Sequence, residues 1–270
     1  MKEPTNNKVV IITGASSGIG AAVARRLARD GMHLTLAARR LDRLEQVAAE
    51  VAALGGEALI VQTDVRNRDE IEKMIQATLD RWGRIDVLLN NAGVGNDRPL
   101  IRTKPEKIRD QININLIAVI ECAKAVLPTM LRQKSGHIIN VASIAGLVAL
   151  PGSTIYAATK FGVNGFSDAL RRELRGSEIH VSAFCPGFTP TEINPELKAI
   201  ADGKPGAPHR PGLMPVTYVA DQIARLIRHP RRQMIIPPSW KILVIIAFLF
   251  PGIADKLIGF FISKETKGKE

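Results

Sequence analysis

The chain has 270 residues and a mass of 29.4 kDa, and its 46% apolar residues with a mean hydropathy of +0.05 are enough for one large core and exclude a disordered tail. Thirty-seven Lys and Arg against 26 Asp and Glu leave a net charge of +11, yet with 4% aromatics and no basic recognition motif no nucleic-acid partner is expected. Cys122 and Cys185 each stand in an apolar run without C-x-x-C spacing, which excludes a disulfide framework and fits a reducing, cytoplasmic compartment.

In chain order, Met1 to Asn7 is polar and lacks the features of a signal peptide, so secretion is not expected. Short β-rich runs follow at Lys8–Thr13, His33–Ala38, Ala58–Thr63, Ile85–Asn90 and His137–Ala142, and a further strand is read at Ile179–Cys185. Between them lie Ala/Leu/Arg stretches of helical spacing. The first carries Ala21, Ala22, Val23, Leu27 and Ala28 on one face and has Gly31 as terminator; Leu41–Leu54, Arg68–Trp82, Pro105–Gln133, Tyr156–Arg175 and Thr217–Arg228 repeat the pattern. Nearly continuous apolar strands alternating with helices predict an α/β fold: a doubly wound parallel sheet, Rossmann-like, covered on both faces. No internal repeat or interdomain linker interrupts it. Residues 1–238 are read as one catalytic domain and 239–270 as an apolar C-terminal extension with a charged tail.

Two stretches break the rhythm. Pro186–Pro215 is rich in proline and glycine and reads as a substrate-side loop, with one short helix at Pro195–Ala201. Ile242–Ala254 then runs for thirteen residues without a charge, interrupted at Pro251-Gly252 and followed by the apolar Leu257–Ile262.

The first strand ends in Thr13-Gly14-Ala15-Ser16-Ser17-Gly18-Ile19-Gly20, where a doubly wound sheet places the phosphates of a dinucleotide on a helix N-terminus. Glycine permits the turn and lets the backbone reach the pyrophosphate. At the end of the second strand, Ala37-Ala38-Arg39-Arg40 offers no carboxylate for the free ribose hydroxyls of NAD. A guanidinium at Arg39 or Arg40 suits a 2′-phosphate, so NADP is expected ahead of NAD.

Tyr156 and Lys160 stand at i and i+4, one helical turn apart. A phenol titrates near pH ~10 and serves as an acid/base at neutral pH only when a cation stabilises its phenolate, which a lysine at that spacing supplies. Ser143 follows a strand at the carboxyl edge of the sheet, positioned to hold a carbonyl oxygen. The histidines at 33, 137, 180, 209 and 229 show no metal spacing, so no metal site is expected and the five read as solvated or structural.

With Asp64 after the third strand, Asn90-Asn91-Ala92-Gly93, Asn115, Ser143, Tyr156/Lys160 and Pro186-Gly187 in this order, the chain resembles the short-chain dehydrogenases/reductases over about Lys8 to Ile236. The resemblance implies a single-domain oxidoreductase moving hydride reversibly between NADP(H) and a carbonyl/alcohol pair. It makes Tyr156 the proton carrier, Ser143 the oxygen holder, Lys160 the group that lowers the tyrosine pKa and binds ribose, and Asn115 the anchor of a proton relay. Asn115 fits the family pattern better than Asn113 because it lies thirteen residues before Pro128.

By the same resemblance Gly14, Ser16, Ser17, Gly18, Ile19 and Gly20 hold the cofactor's phosphates. Asp64 and Val65 lie near adenine, Asn90, Ala92 and Gly93 support the pocket, and Pro186, Gly187 and Thr191 meet the carboxamide side. Ile144, Leu147, Val148, Leu150, Phe188, Leu197, Leu213 and Met214 give the substrate wall an apolar character, as for a steroid, retinoid or lipid-like molecule. A 3-oxoacyl thioester reductase shares every motif, and a non-catalytic NADP-binding scaffold is the alternative of another class.

The extension needs a cover. Arg225 to Lys241 holds five cations and no carboxylate next to Ile242–Phe250, so three covers are open: packing on the protein or a second copy in a homo-oligomer, peripheral contact of residues 240–262 with the cytoplasmic face of a membrane, or a span. Thirteen residues of helix, about 20 Å, fall short of the ~30 Å bilayer core and disfavour the span.

Overall fold

The computed structural model describes residues 7–95, 99–193, 199 and 213–266, the side chains of 257 and 260–266 apart. Seven strands, β1 (Val9–Thr13), β2 (His33–Ala38), β3 (Glu57–Gln62), β4 (Val87–Asn90), β5 (Gly136–Val141), β6 (Ile179–Pro186) and β7 (Gln233–Ile236), form one sheet in the order β3-β2-β1-β4-β5-β6-β7. Every pairing is parallel. The order reverses between β1 and β4, which opens a crevice at their carboxyl ends.

The central strands are buried on both faces and run mostly apolar rather than alternating, while the edge strand β3 is half exposed. Val10, Ile12, Leu34 and Leu36 pack with α1 (Gly18–Ala28), α2 (Leu41–Ala53) and a late helix, Val216–Arg228, called α7 below. Ile11, Leu88 and Ile138 face the other way, onto α3 (Arg68–Trp82), α5 (Ala118–Gln133) and α6 (Thr154–Glu173). α3 shows how sequence sets an end: the Asn67 side chain accepts from Asp69 N, and Gly83 closes the helix at φ 71°.

The single helix expected over Pro105–Gln133 is two. α4 (Pro105–Ile112) and α5 are joined by a π-helical turn, Asn113–Ile117, which widens the helix by one residue per turn there. β7 has no counterpart among the sequence expectations. It is four residues long, bounded by Arg231-Arg232 and Pro237-Pro238, and owes its conformation to β6.

Beyond β7 the extension forms α8 (Trp240–Leu249) and α9 (Pro251–Thr266). Proline sits at the first position of α9, where its missing N–H costs nothing. The helix expected at 195–201 lies outside the described residues, residue 199 apart.

Candidate active site

The crevice between the ends of β1, β2, β3 and β4 is a cleft of about 390 Å³. One wall is the glycine loop. Gly14 and Gly18 hold φ values of +68° and +56°, a region that favours glycine. A Cβ on Gly14 would sit 2.8 Å from Ala92 Cα, and one on Gly18 would press on Thr191 Cγ2 at 3.2 Å. Gly20 has no room either, because its Cβ would collide with the Gly14 carbonyl. The loop is thus drawn down onto the end of β4.

Asn91 does the drawing. Its Nδ2 donates to the carbonyls of Thr13 (2.9 Å) and Gly14 (3.3 Å), while the N–H groups of Asn91 and Ala92 donate to Thr13 Oγ1 at 3.0 and 3.1 Å. Ala92 and Gly93 line the cleft beside it. Asn90, expected to support the pocket, points the other way and is absent from the lining. Its Nδ2 donates to Asn140 Oδ1 (2.9 Å) and to the Val119 carbonyl (3.2 Å), and Asn140 donates to Ser167 Oγ at 2.9 Å. That buried ladder ties β4 and β5 to α6, so Asn90 acts on the site through the helix. Alternation along the strand places neighbouring residues on opposite faces; a sequence Asn-Asn does not say which faces the crevice.

Ser16, Ser17, Gly18 and Ile19 line the opposite side with Arg39 and Arg40. Arg40 Nη2 donates to Ser16 Oγ (3.2 Å), Ser17 Oγ (2.9 Å) and Glu192 Oε2 (2.9 Å). The ion pair holds the Glu192 carboxyl below its ordinary range. Glu192 and Ile193, which nothing in the sequence marked, belong to the segment after β6 and close the mouth of the cleft over Gly18 together with Thr191. Asp64 and Val65 form the floor near β3. The Asp64 carboxylate is held by Arg66 at 2.6 Å, which depresses its pKa. Its N–H donates to Glu70 Oε2 at 2.7 Å.

The expected catalytic residues Asn115, Ser143, Tyr156 and Lys160 do not line this cleft; they lie behind its inner wall, which Asn115 and Lys160 adjoin at Val94 and Gly93. Asn115 lies fully buried in the π-turn, where Oδ1 accepts from Val94 N and Nδ2 donates to the Val94 carbonyl, both at 2.8 Å. The same Nδ2 reaches Thr159 Oγ1 at 3.4 Å, and that hydroxyl donates to the Tyr156 carbonyl at 2.8 Å. Asn115 therefore joins the cleft rim to the helix that carries Tyr156 and Lys160.

Lys160 is buried, with Nζ donating to the Val141 carbonyl at 2.8 Å and lying 5.6 Å from the centre of the Tyr156 ring. Burial pulls its pKa down to about 8. A Cβ on Gly93 would be 3.9 Å from Nζ, so the ammonium lies just behind the cleft wall. Ser143, two residues past Val141, caps a 3-10 turn (Ile144–Gly146) and accepts from Ala145 N at 3.1 Å. Asn164 Nδ2 fastens the Gly146 carbonyl to α6 at 2.9 Å, which fixes the serine turn against the Tyr/Lys helix.

Pro186 ends β6 opposite Ile236, and the next N–H, of Gly187, donates to the Ile236 carbonyl at 2.8 Å. Both lie outside the cleft lining. Of the expected substrate wall, Ile144 turns into the core with Val163 and Cys185, with Leu147 packed beside that cluster; Met214 joins the core below α7. Phe188 meets the Trp240 ring edge-on at 5.5 Å. Leu197 lies outside the described residues. Burial pushes the thiols of Cys122 and Cys185 up to about 12, so neither is a nucleophile at neutral pH.

The cleft suits a dinucleotide on its own geometry. Its glycine cradle leaves no space for a side chain, the N-terminus of α1, a setting that suits a pyrophosphate, opens on it, and the guanidiniums of Arg39 and Arg40 line it.

Comparison with known proteins agrees. A family model described as short chain dehydrogenase matches residues 8–201. The chain is 45% identical over 193 residues to a 3-oxoacyl-[acyl-carrier-protein] reductase of Synechocystis, covering 71% of this chain and 78% of that one. It is 41% identical over 198 residues to an uncharacterized oxidoreductase of Listeria innocua, covering 73% and 79%. Among solved structures, a short chain dehydrogenase/reductase from Burkholderia phymatum in complex with NAD superposes with a TM-score of 0.81 at 30% identity, covering 91% of this chain and 94% of that one. A metagenomic short-chain oxidoreductase in complex with NADP gives 0.73 at 32%, covering 86% and 98%.

Proposed function

The chain belongs to the short-chain dehydrogenase family and is an oxidoreductase of alcohol and ketone groups; from that premise we propose that it works with NADP(H) on an apolar carbonyl/alcohol substrate, with Tyr156 as the acid/base. The nicotinamide supplies or accepts the hydride; everything else falls to the side chains. The observation that carries this reading is the buried Lys160 ammonium beside the Tyr156 ring, behind the Gly93 wall of a cleft that suits a dinucleotide.

A cation in that position stabilises the phenolate over the phenol, bringing a proton normally held to pH ~10 within reach of neutral chemistry. Burial strengthens the effect by excluding water from between the two groups. In the reducing direction Tyr156 gives its proton to the substrate oxygen; in the oxidising direction it takes one away. Ser143, at the end of β5, holds that oxygen. Asn115, tied to Val94 and Thr159, anchors the path by which the proton is replaced.

NADP is favoured by Arg40 at the ribose end of the cleft and by the absence of a carboxylate at the end of β2. Solved relatives hold either cofactor in their complexes, so the preference rests on Arg40. A second reading, reduction of a 3-oxoacyl thioester, is favoured by the Synechocystis relative. Assaying the purified protein with NADPH against steroid, retinoid and long-chain ketones and a 3-oxoacyl thioester tests both. Turnover of the apolar ketones above the thioester is expected, and the reverse order selects the second reading.

A further inference from the structure

α8 and α9 lie outside the span of the family model; the two helices contact each other across the bend, and Ala254, near the start of α9, is buried. The rest of the corner is open. Ile242, Ile245, Phe248, Leu249, Phe250 and Ile253 are 53–84% exposed, six large apolar side chains within twelve consecutive positions. At 100° per residue Ile242, Ile245, Phe248 and Leu249 fall on one side of α8, about 120° wide, and Phe250 and Ile253 continue that side around the bend at Pro251. Isolated apolar side chains on a surface are ordinary, but a continuous patch of this size marks a contact.

The charges around the patch indicate the contact. Lys241 heads α8 and Lys256 follows the bend, both exposed. From residue 222 to residue 254 there is no carboxylate; the exposed Asp255 follows, beside Lys256. The sequence expectation of a basic run touching this helix needs one correction. β7 carries the chain across the sheet, so Arg225–Arg232 sit at its opposite edge, where Arg228 pairs with Asp30 and Arg232 with Asp168. Among the residues whose side chains are described, Lys241 and Lys256 are the cations beside the patch, on a chain whose net charge is +11.

We propose that the α8–α9 corner is a docking surface for an anionic lipid bilayer. The apolar side enters one leaflet, and the two lysines reach back to the headgroups along their aliphatic stems. The dimensions agree: ten residues of α8 measure about 15 Å, half of the ~30 Å hydrocarbon core. Among the described residues the one helical stretch long and apolar enough to cross a membrane is Pro105–Gln133, and it is packed on α3, α6 and the sheet. Through the Phe188–Trp240 contact, docking places the segment after β6 at the lipid boundary. Nothing in this depends on the reaction.

The test is co-sedimentation of the full chain with vesicles of phosphatidylcholine alone or with one-third phosphatidylglycerol, at low and high salt, alongside analytical ultracentrifugation. Binding to the anionic vesicles at low salt, weakened by salt and at least tenfold weaker on the neutral ones, is expected. Phe248→Glu with Phe250→Glu should abolish it without changing the oligomeric state. Absence of binding at low salt, or equal binding to neutral vesicles, overturns the proposal. So does a double variant that splits an oligomer, which assigns the patch to a second copy. If that variant does not fold, Lys241→Glu with Lys256→Glu, two exposed changes, must weaken anionic binding at least tenfold; unchanged binding overturns the proposal.

Discussion

Arg40 and Glu192, 152 residues apart, meet at 2.9 Å across the mouth of the cleft. The two N–H bonds of Nη2 are shared among Glu192 and the hydroxyls of Ser16 and Ser17, so a phosphate gripped bidentately through Nη2 competes with the carboxylate and the loop serines. Arg40→Ala should lower kcat/KM for NADPH about three- to tenfold with little effect on NADH, a modest loss because Arg40 is half exposed. Glu192→Gln should tighten NADPH and leave NADH unchanged. Steady-state kinetics with both cofactors check this, and a wild type that prefers NADH refutes the 2′-phosphate assignment.

Tyr156→Phe removes one hydroxyl and should cut turnover by about 10²–10⁴-fold while NADPH binding, followed by fluorescence titration, survives. Turnover within tenfold of wild type would assign the proton to another group.

Lys160→Ala should weaken both turnover and cofactor affinity. The pH at which alcohol oxidation reaches half its plateau should rise, because the phenolate loses its cation. A pH–rate profile superposable on the wild type would show that the ammonium does not act on Tyr156.

Asn115 satisfies both the N–H and the carbonyl of Val94. Asn115→Ala leaves the two unpaired and should destabilise the fold by about 1–3 kcal/mol in urea melts, with a weaker cofactor Kd as Val94 and Gly95 at the rim are released. Retention of wild-type stability would mean that water replaces the amide.

His137 is buried, shares a 2.8 Å hydrogen bond with Ser182 Oγ, and is held neutral with its pKa pushed down by burial to about 3. Its folded pKa lies below the unfolded value of about 6.5, so between those values the unfolded state binds the extra proton. Stability from this group is full above pH 6.5 and is lost as pH falls toward 3, by up to about 1.4 kcal/mol per pH unit. In His137→Leu the drop in urea midpoint between pH 7 and pH 5 should be shallower; an equal drop would place the titration elsewhere.

Much of this was legible in the chain itself. The short apolar runs mark six of the seven described strands, five of them buried on both faces and β3 half exposed at the edge, and the glycine loop, Ser143, Tyr156 and Lys160 sit at the strand and helix ends that motif spacing gives them. What escapes is set by contacts distant in sequence. β7 exists through β6, the orientation of Asn90 and Asn91 depends on which face of β4 meets the crevice, and Glu192 has no local signature because its partner lies on the far side of the cleft. The break at Asn113–Ile117 is hidden for a related reason: helical periodicity over a few residues reads alike with one residue more or less per turn.

The chain order of β7 and α8 has a consequence in time. Every strand leaves the ribosome before the exposed apolar corner does, and domains form from the N-terminal side during synthesis. Strands β1 to β6 can pair before Ile242–Ile253 emerges. The exposed apolar segment is therefore withheld until most of the sheet has paired, and a rearrangement moving it to the start of the chain would lose that protection and favour aggregation during synthesis.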